Sequence, residues 1–236
     1  MLVFIIKRTA NAIMVMLAVA MLAFLIFRLA GDPVEMMANE QMTQADRDEL
    51  RERLGLNDGV LTQYTRFVVN AAQGNFGISY RNGQDVLKLI AERFPATLEL
   101  VFLATLISLL VGIPLGVLTA IKRGQWYSES LQFVSIIGVS LPSFVVGIVL
   151  ILVFSVVLGW LPAFGRGEVV QIGWWSTGLL TPSGRAALLL PALSLSLYQV
   201  TLVMRLVRAE MLEVLRSDYV KFARARGIPR WRIYFR

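Results

Sequence analysis

Between Ser194 and Arg208 the chain sets Ser194, Tyr198, Thr201, Arg205 and Arg208 at alternating steps of four and three residues, so hydroxyls and guanidiniums share one helical face. On a membrane helix such a stripe turns toward protein or a water-filled path, not lipid. It serves either as lining of a translocation path or as a set of hydroxyls bonding neighbouring helices. A second group is "SLPS", with Ser140, Pro142 and Ser143. Proline removes a backbone donor and kinks a helix, and nearby hydroxyls satisfy the freed carbonyls, a device found in translocation paths and in plain packing kinks. There is no cysteine and no histidine, which excludes disulfides, Cys/His metal sites and histidine-based proton relays. The chemistry that remains is recognition and movement; no catalytic residue and no metal ligand is expected.

The third group is the stretch "DYVKFARARGIPRWRIYFR", Asp218 to Arg236. Ser217 or Asp218 can cap a helix, Tyr219, Phe222 and Ala223 make an apolar strip, and Lys221 and Arg224 lie off it. Arg224 and Arg226 suit a helix C-terminus, Gly227 suits the left-handed terminating position, and Pro229 prevents continuation. A helix of about nine residues is marginal alone in water, so it needs a surface. Anionic lipid can supply one, and so can a groove on a cytoplasmic partner; the residues themselves leave both open.

These groups must be positioned by membrane helices. The chain has 236 residues, 56% of them hydrophobic, and a mean hydropathy of +0.65. Four runs reach the roughly 20 residues a spanning helix needs: Thr9 to Leu29, Thr97 to Ile121, Leu131 to Leu158 and Ala186 to Met204. The first is too long for a signal h-region and lacks a small-residue cleavage site, so it reads as a retained anchor. Lys7 and Arg8, Lys122 and Arg123, and the Arg-rich end fall on one side if the four runs alternate, and that side is cytoplasmic, with the N-terminus. From Arg205 to Arg236 nine Lys/Arg face three Asp/Glu, a net of +6, so this segment holds nearly all of the chain's +7. The basic pI near 10.1 then reflects topology, not nucleic-acid binding.

Two regions are expected: residues 1–95, a spanning helix with an extracytoplasmic helical part, and residues 96–236, the membrane core with three further spans. Thr43 to Leu54, Leu61 to Ala72 and Asp85 to Arg93 read as short helices, broken by "LGLNDG" and "QGNFGISYRNGQ". Trp160, Trp174 and Trp175 in the outer loop read as interfacial anchors. Arg28 can snorkel at the outer end of the first helix.

The closing stretch resembles the cytoplasmic "EAA" loop of ABC importer permeases, whose pattern is Glu-Ala-Ala, three residues, then Gly. Ala223 and Gly227 keep the pattern; Lys221 and Phe222 depart from it in the way usual for the dipeptide, oligopeptide and nickel subfamily. "AGDP" at Ala30 to Pro33, "LGL" at Leu54 to Leu56, "GNFGIS" at Gly74 to Ser79, "RFPATLEL" at Arg93 to Leu100 and "GIPLGVLTAIKRG" at Gly112 to Gly124 follow in that subfamily's order. The resemblance implies an all-α membrane protein of the type I importer fold, in a bacterial or archaeal inner membrane. It implies one of two homologous permease subunits, driven by two cytoplasmic ATPases that bind ATP and Mg, and fed by an extracytoplasmic solute-binding protein. Asp218, Tyr219, Lys221, Phe222, Ala223, Arg226 and Gly227 would then form the coupling helix that docks on an ATPase. No G-x-x-x-x-G-K-[ST] loop is present, so no cofactor is expected on this chain itself. The family's members carry about two more spanning helices past this loop, so six are expected in the intact subunit. A free-standing channel or ion-coupled transporter is the rival from another class, and the scarcity of intramembrane carboxylates, with Glu99 near an edge, weakens it.

Overall fold

The apolar runs become helices, and their ends are set by a few capping residues. A computed structural model describes residues 1–29, 31–37 and 42–235. Ala30 of the "AGDP" stretch and Arg236 lie outside the described residues. Two units divide the chain, Met1–Arg93 and Phe94–Arg236.

In the first unit, α1 (Leu2–Leu29) starts before the apolar run and already includes Lys7 and Arg8. Its 28 residues measure about 42 Å at 1.5 Å per residue, against roughly 30 Å of hydrocarbon. After α2 (Pro33–Met37) comes α3 (Gln44–Leu54). Thr43 caps α3: its Oγ1 accepts from Asp46 N–H at 3.3 Å, and its own N–H donates to Asp46 Oδ2 at 2.9 Å. Gly55, at φ +66°, closes the other end, with Gly55 N–H donating to Glu52 O and Leu56 N–H to Arg51 O, both at 3.0 Å. Arg51 pairs with Asp32 across the two short helices, and Arg47 reaches Glu35 at 3.4 Å. The Arg51 guanidinium and the Val34 amide hold the Asp32 carboxyl below its ordinary pKa.

The helix α4 (Val60–Ala72) lies on α1. Tyr64 O–H donates to the Leu17 carbonyl at 2.9 Å, and the Phe24 ring meets Tyr64 at 5.8 Å and Phe67 at 6.4 Å. Leu17 sits inside the run Thr9 to Leu29, so this helix packs on the span and does not stand in a module apart from it.

α5 (Val86–Ile121) begins in the first unit and continues in the second. It absorbs the separate helix expected over Asp85 to Arg93 and carries Pro95 and Pro114 within it. The expected third span, Leu131 to Leu158, is corrected more sharply. It is two helices, α6 (Trp126–Ser140) and α7 (Ser143–Ile151), the latter prolonged by a π-helical turn over Leu152–Val157, and the pair bends by 101°. Pro142 offers no N–H and pushes Leu141 out of the helical region, so α6 must stop at Ser140. With 15 residues, α6 extends only about 22 Å, short of a full crossing. Three described helices, α1, α5 and α8 (Pro182–Val214), are long and apolar enough to span; the bent pair is a broken fourth span or a re-entrant loop.

The second unit is built around α8. Thr181 caps it, accepting from Gly184 N–H at 3.1 Å, and Pro182 takes the first helical position. Glycines let three helices approach it closely. A Cβ on Gly116 would stand 2.7 Å from Val207 and 2.8 Å from the Met204 carbonyl, and one on Gly112 would stand 2.9 Å from Val203. On α6 and α7, Gly138 and Gly147 face Thr201 Oγ1 and Ser194 Oγ, each 3.3 Å from such a Cβ. Lipid tails are as apolar as leucine, so contact of this kind, with hydrogen bonds between helices, supplies what hydrophobic burial cannot.

Between the π-helical turn and α8 a hairpin was not foreseen. β1 (Val170–Ile172) pairs antiparallel with β2 (Trp175–Thr177), Ile172 opposite Trp175. Gly173 at φ +61° opens a two-residue loop of the Gly-X type. After α8 come α9 (Asp218–Ala225) and α10 (Arg230–Phe235).

Candidate functional site

The α8 stripe divides on folding. Ser194 and Thr201 are buried, and Ser194 Oγ donates to the Ser143 carbonyl at 2.6 Å, bringing two of the candidate path residues together at the start of α7. Thr201 Oγ1 donates back to Leu197 O at 3.2 Å and lies against Gly138. Ser194 therefore bonds α8 to α7, while the Thr201 bond stays within α8 and Thr201 meets α6 by packing at Gly138. Tyr198 points away from them, half exposed at 52%. Ser140 is exposed and donates to Ile136 O at 2.9 Å, satisfying a carbonyl near the break, while Pro142 caps α7 in an extended conformation. Arg205 is exposed; Arg208 turns inward, its Nη1 donating to Thr119 O at 2.9 Å and to Ser128 Oγ at 3.3 Å. Thr119 and Ser128 are fully buried, so Arg208 pins the α5–α6 corner to α8.

At the other end of the unit the structure assembles a cluster that sequence reasoning missed. Glu99, 4% exposed, accepts from Trp175 Nε1–H at 3.2 Å and from Gly178 N–H at 3.1 Å, with Arg166 Nη2 at 3.9 Å. Arg166 also donates to Ser176 Oγ at 2.8 Å and to the Ser176 carbonyl at 2.5 Å. A buried carboxylate is costly unless bonded, and here α5 binds the hairpin through it. Trp175 is thus a hydrogen-bond donor to Glu99 and not a free anchor, whereas Trp160 and Trp174 remain exposed at 69% and 70%. Only the β-branched alternation around Gly173 could have indicated the hairpin; nothing in the spacing of Glu99 indicated its partners.

The short basic helix forms as expected, with one change of detail. α9 starts after Ser217, whose hydroxyl turns back to Val214 O at 2.6 Å and makes no cap; Asp218 instead pairs with Lys221 at 2.8 Å. Gly227, at φ +73°, ends it with the paired closure used by Gly55: Gly227 N–H to Arg224 O at 3.0 Å and Ile228 N–H to Ala223 O at 3.2 Å. The face turned into the chain is Val220, 3% exposed, with Ala223 half buried beside it. Tyr219 and Phe222 are 64% and 63% exposed, and the Arg226 guanidinium lies 5.7 Å from the Phe222 ring centroid. Tyr219, Phe222 and Arg226 recur at helical spacing, which makes one outward aromatic-basic face.

The described helices long and apolar enough to span place this chain among helical membrane proteins, and similarity to known proteins gives the class and the family. Residues 112–236 match the family described as binding-protein-dependent transport system inner membrane component, and residues 1–101 match its N-terminal family. The chain is 37% identical to the oligopeptide transport system permease protein AppB of Bacillus subtilis, over 99% of this chain and 72% of that protein. It is 36% identical to the probable D,D-dipeptide transport system permease protein DdpB of Escherichia coli, over 96% and 71%. It is 37% identical to the di/tripeptide transport system permease protein DppB of Pseudomonas aeruginosa, over 100% and 74%. The chain belongs to the binding-protein-dependent inner membrane component family, and is a multi-pass membrane permease of an ABC importer.

Proposed function

We propose that this permease forms half of a translocation path for peptides or similar small solutes and is driven by ATP hydrolysis on cytoplasmic partner subunits through α9. The relatives named for oligopeptide, dipeptide and tripeptide transport support the substrate class. The observation that carries the coupling role is the outward face of Tyr219, Phe222 and Arg226 on an eight-residue helix closed at Gly227. A short helix keeps two aromatic rings in water only at a cost, and an apolar cleft on a partner would bury both rings while the arginines meet its rim. In this reading a second homologous permease completes the path, two ATPase subunits carry ATP and Mg, and an extracytoplasmic binding protein delivers the solute. The N-terminus lies in the cytoplasm of a bacterial or archaeal cell.

The test is a Phe222→Ala variant in the full chain co-expressed with its ATPase subunits. Expected is an intact membrane subunit that loses both copurifying ATPase and binding-protein-stimulated ATP hydrolysis. Wild-type coupling in that variant would remove α9 as the docking element.

A further inference from the structure

Beyond transport itself, a cleft of about 480 Å³ opens between the α5–α6 link and the last turns of α8, lined by Arg123, Arg208, Ala209, Leu212, Glu213 and Arg216. Three arginines line it, Arg123 from the α5–α6 link and Arg208 and Arg216 from α8 and its end, together with one carboxylate, that of Glu213. Among the described residues neither Arg123, Arg216 nor Glu213 forms an ion pair within 4.0 Å. Arg208 is fixed by Nη1 to the buried Thr119–Ser128 corner, which leaves its Nε and Nη2 with no hydrogen bond among the described residues. The C-termini of α5 and α8 oppose an anion here, each with about half a negative charge. The side chains contribute a net of +2, which outweighs that by about one unit. Ala209 and Leu212 supply an apolar wall at the end of a spanning helix, on the side where the Lys/Arg bias places the cytoplasm.

We propose that this cleft binds a phosphate group, held by Arg123, Arg208 and Arg216. Planar guanidiniums match phosphate oxygens bidentately, and a basic pocket between helices on the cytoplasmic side is a site for lipid headgroups. The phosphate belongs either to an acidic phospholipid, whose acyl chain would follow Ala209 and Leu212, or to a soluble phosphate, and one experiment separates them.

The full chain, purified with its partner subunits from membranes containing phosphatidylglycerol and phosphatidylcholine, is delipidated stepwise, and lipid retained on the permease subunit is counted by native mass spectrometry. Arg123→Gln/Arg216→Gln is compared with Arg81→Gln, an exposed arginine far from the cleft in sequence. Expected is preferential retention of phosphatidylglycerol, weakened about 30-fold in the double variant, since each basic side chain near a headgroup contributes about 1 kcal/mol. Arg123→Lys/Arg216→Lys, which keeps the charge, restores most of it, and so separates loss of the site from loss of fold. Retention that survives excess inorganic phosphate identifies the lipid. Displacement by phosphate, with the same dependence on Arg123 and Arg216, identifies a soluble ligand. Equal retention of the two lipids with no phosphate competition, or a double variant indistinguishable from Arg81→Gln, overturns the site.

Discussion

Replacing Glu99 by alanine tests whether the buried carboxylate holds the β1–β2 hairpin to α5. Two donors lose their acceptor, Trp175 Nε1–H at 3.2 Å and Gly178 N–H at 3.1 Å, and the nearby Arg166 loses its counter-charge. A hydrogen bond to a charged group contributes about 1.5–3 kcal/mol. Trp175 is only half buried, so water recaptures its N–H; Gly178 is buried and loses its acceptor outright. Taking the low end for each gives about 3 kcal/mol, or roughly a 150-fold rise in local opening. Hydrogen exchange of the peptide spanning residues 170–180, in detergent or nanodiscs, reads this directly, because Gly178 N–H reports the bond itself. Glu99→Gln keeps one acceptor oxygen and should fall between. In a double-mutant cycle, Trp175→Phe with Glu99→Ala should be strongly non-additive. A change at Gly178 of less than threefold in Glu99→Ala would refute the reasoning and leave Glu99 a bystander.

Gly116→Val should destabilise the second unit by about 1–3 kcal/mol, because the new side chain meets Val207 and the Met204 carbonyl; thermal denaturation in detergent checks it, and an unchanged midpoint would remove the glycine contact. Gly227→Ala should lower hydrogen-exchange protection of α9 about fivefold, from about 1 kcal/mol of left-handed strain, with no steric clash, since nothing lies within 4 Å of the added carbon. Asp32 has a depressed pKa, so its bond to Arg51 contributes fully above the ordinary value of about 3.9 and is lost as pH falls through the lower folded value. Protection of α3 should therefore hold from neutral pH to about pH 4 and decline below that, whereas Asp32→Asn should be weaker at neutral pH and decline less, the remainder belonging to Asp46, whose carboxyl the Thr43 hydroxyl and amide also hold below its ordinary value.

Which features were legible depended on how local their causes are. The ends of α3 are written in adjacent residues, and the helix over Thr43 to Leu54 and its break at "LGLNDG" formed as read, closed by Thr43 with Asp46 and by Gly55. The spans were legible because about 20 apolar residues leave few alternatives. Pro142 announced an interruption, but not its size. A proline only removes a bond and restricts its predecessor; the 101° that follows depends on where α7 finds Gly147 and Ser143 a place against Ser194 of α8, fifty residues on. Glu99 shows the same limit, since its donors lie at positions 175 and 178, with no spacing rule to connect them.

The α9 helix shows where the sequence pattern itself was ambiguous. Tyr219, Phe222 and Ala223 form one apolar strip on a helical wheel, and a single strip predicts a single packed face. Val220 lies about 100° further round, and its burial turns the helix so that Tyr219 and Phe222 face outward with Arg226. An eight-residue helix cannot bury both sides against one support. One side is fixed by the chain it belongs to, and the other keeps two rings and a guanidinium directed at whatever lies below. On the proposed function, a partner's surface, and not this chain's own core, decides what those three residues do. Phe222→Ala, which leaves Val220 in place, is the substitution that separates the two sides.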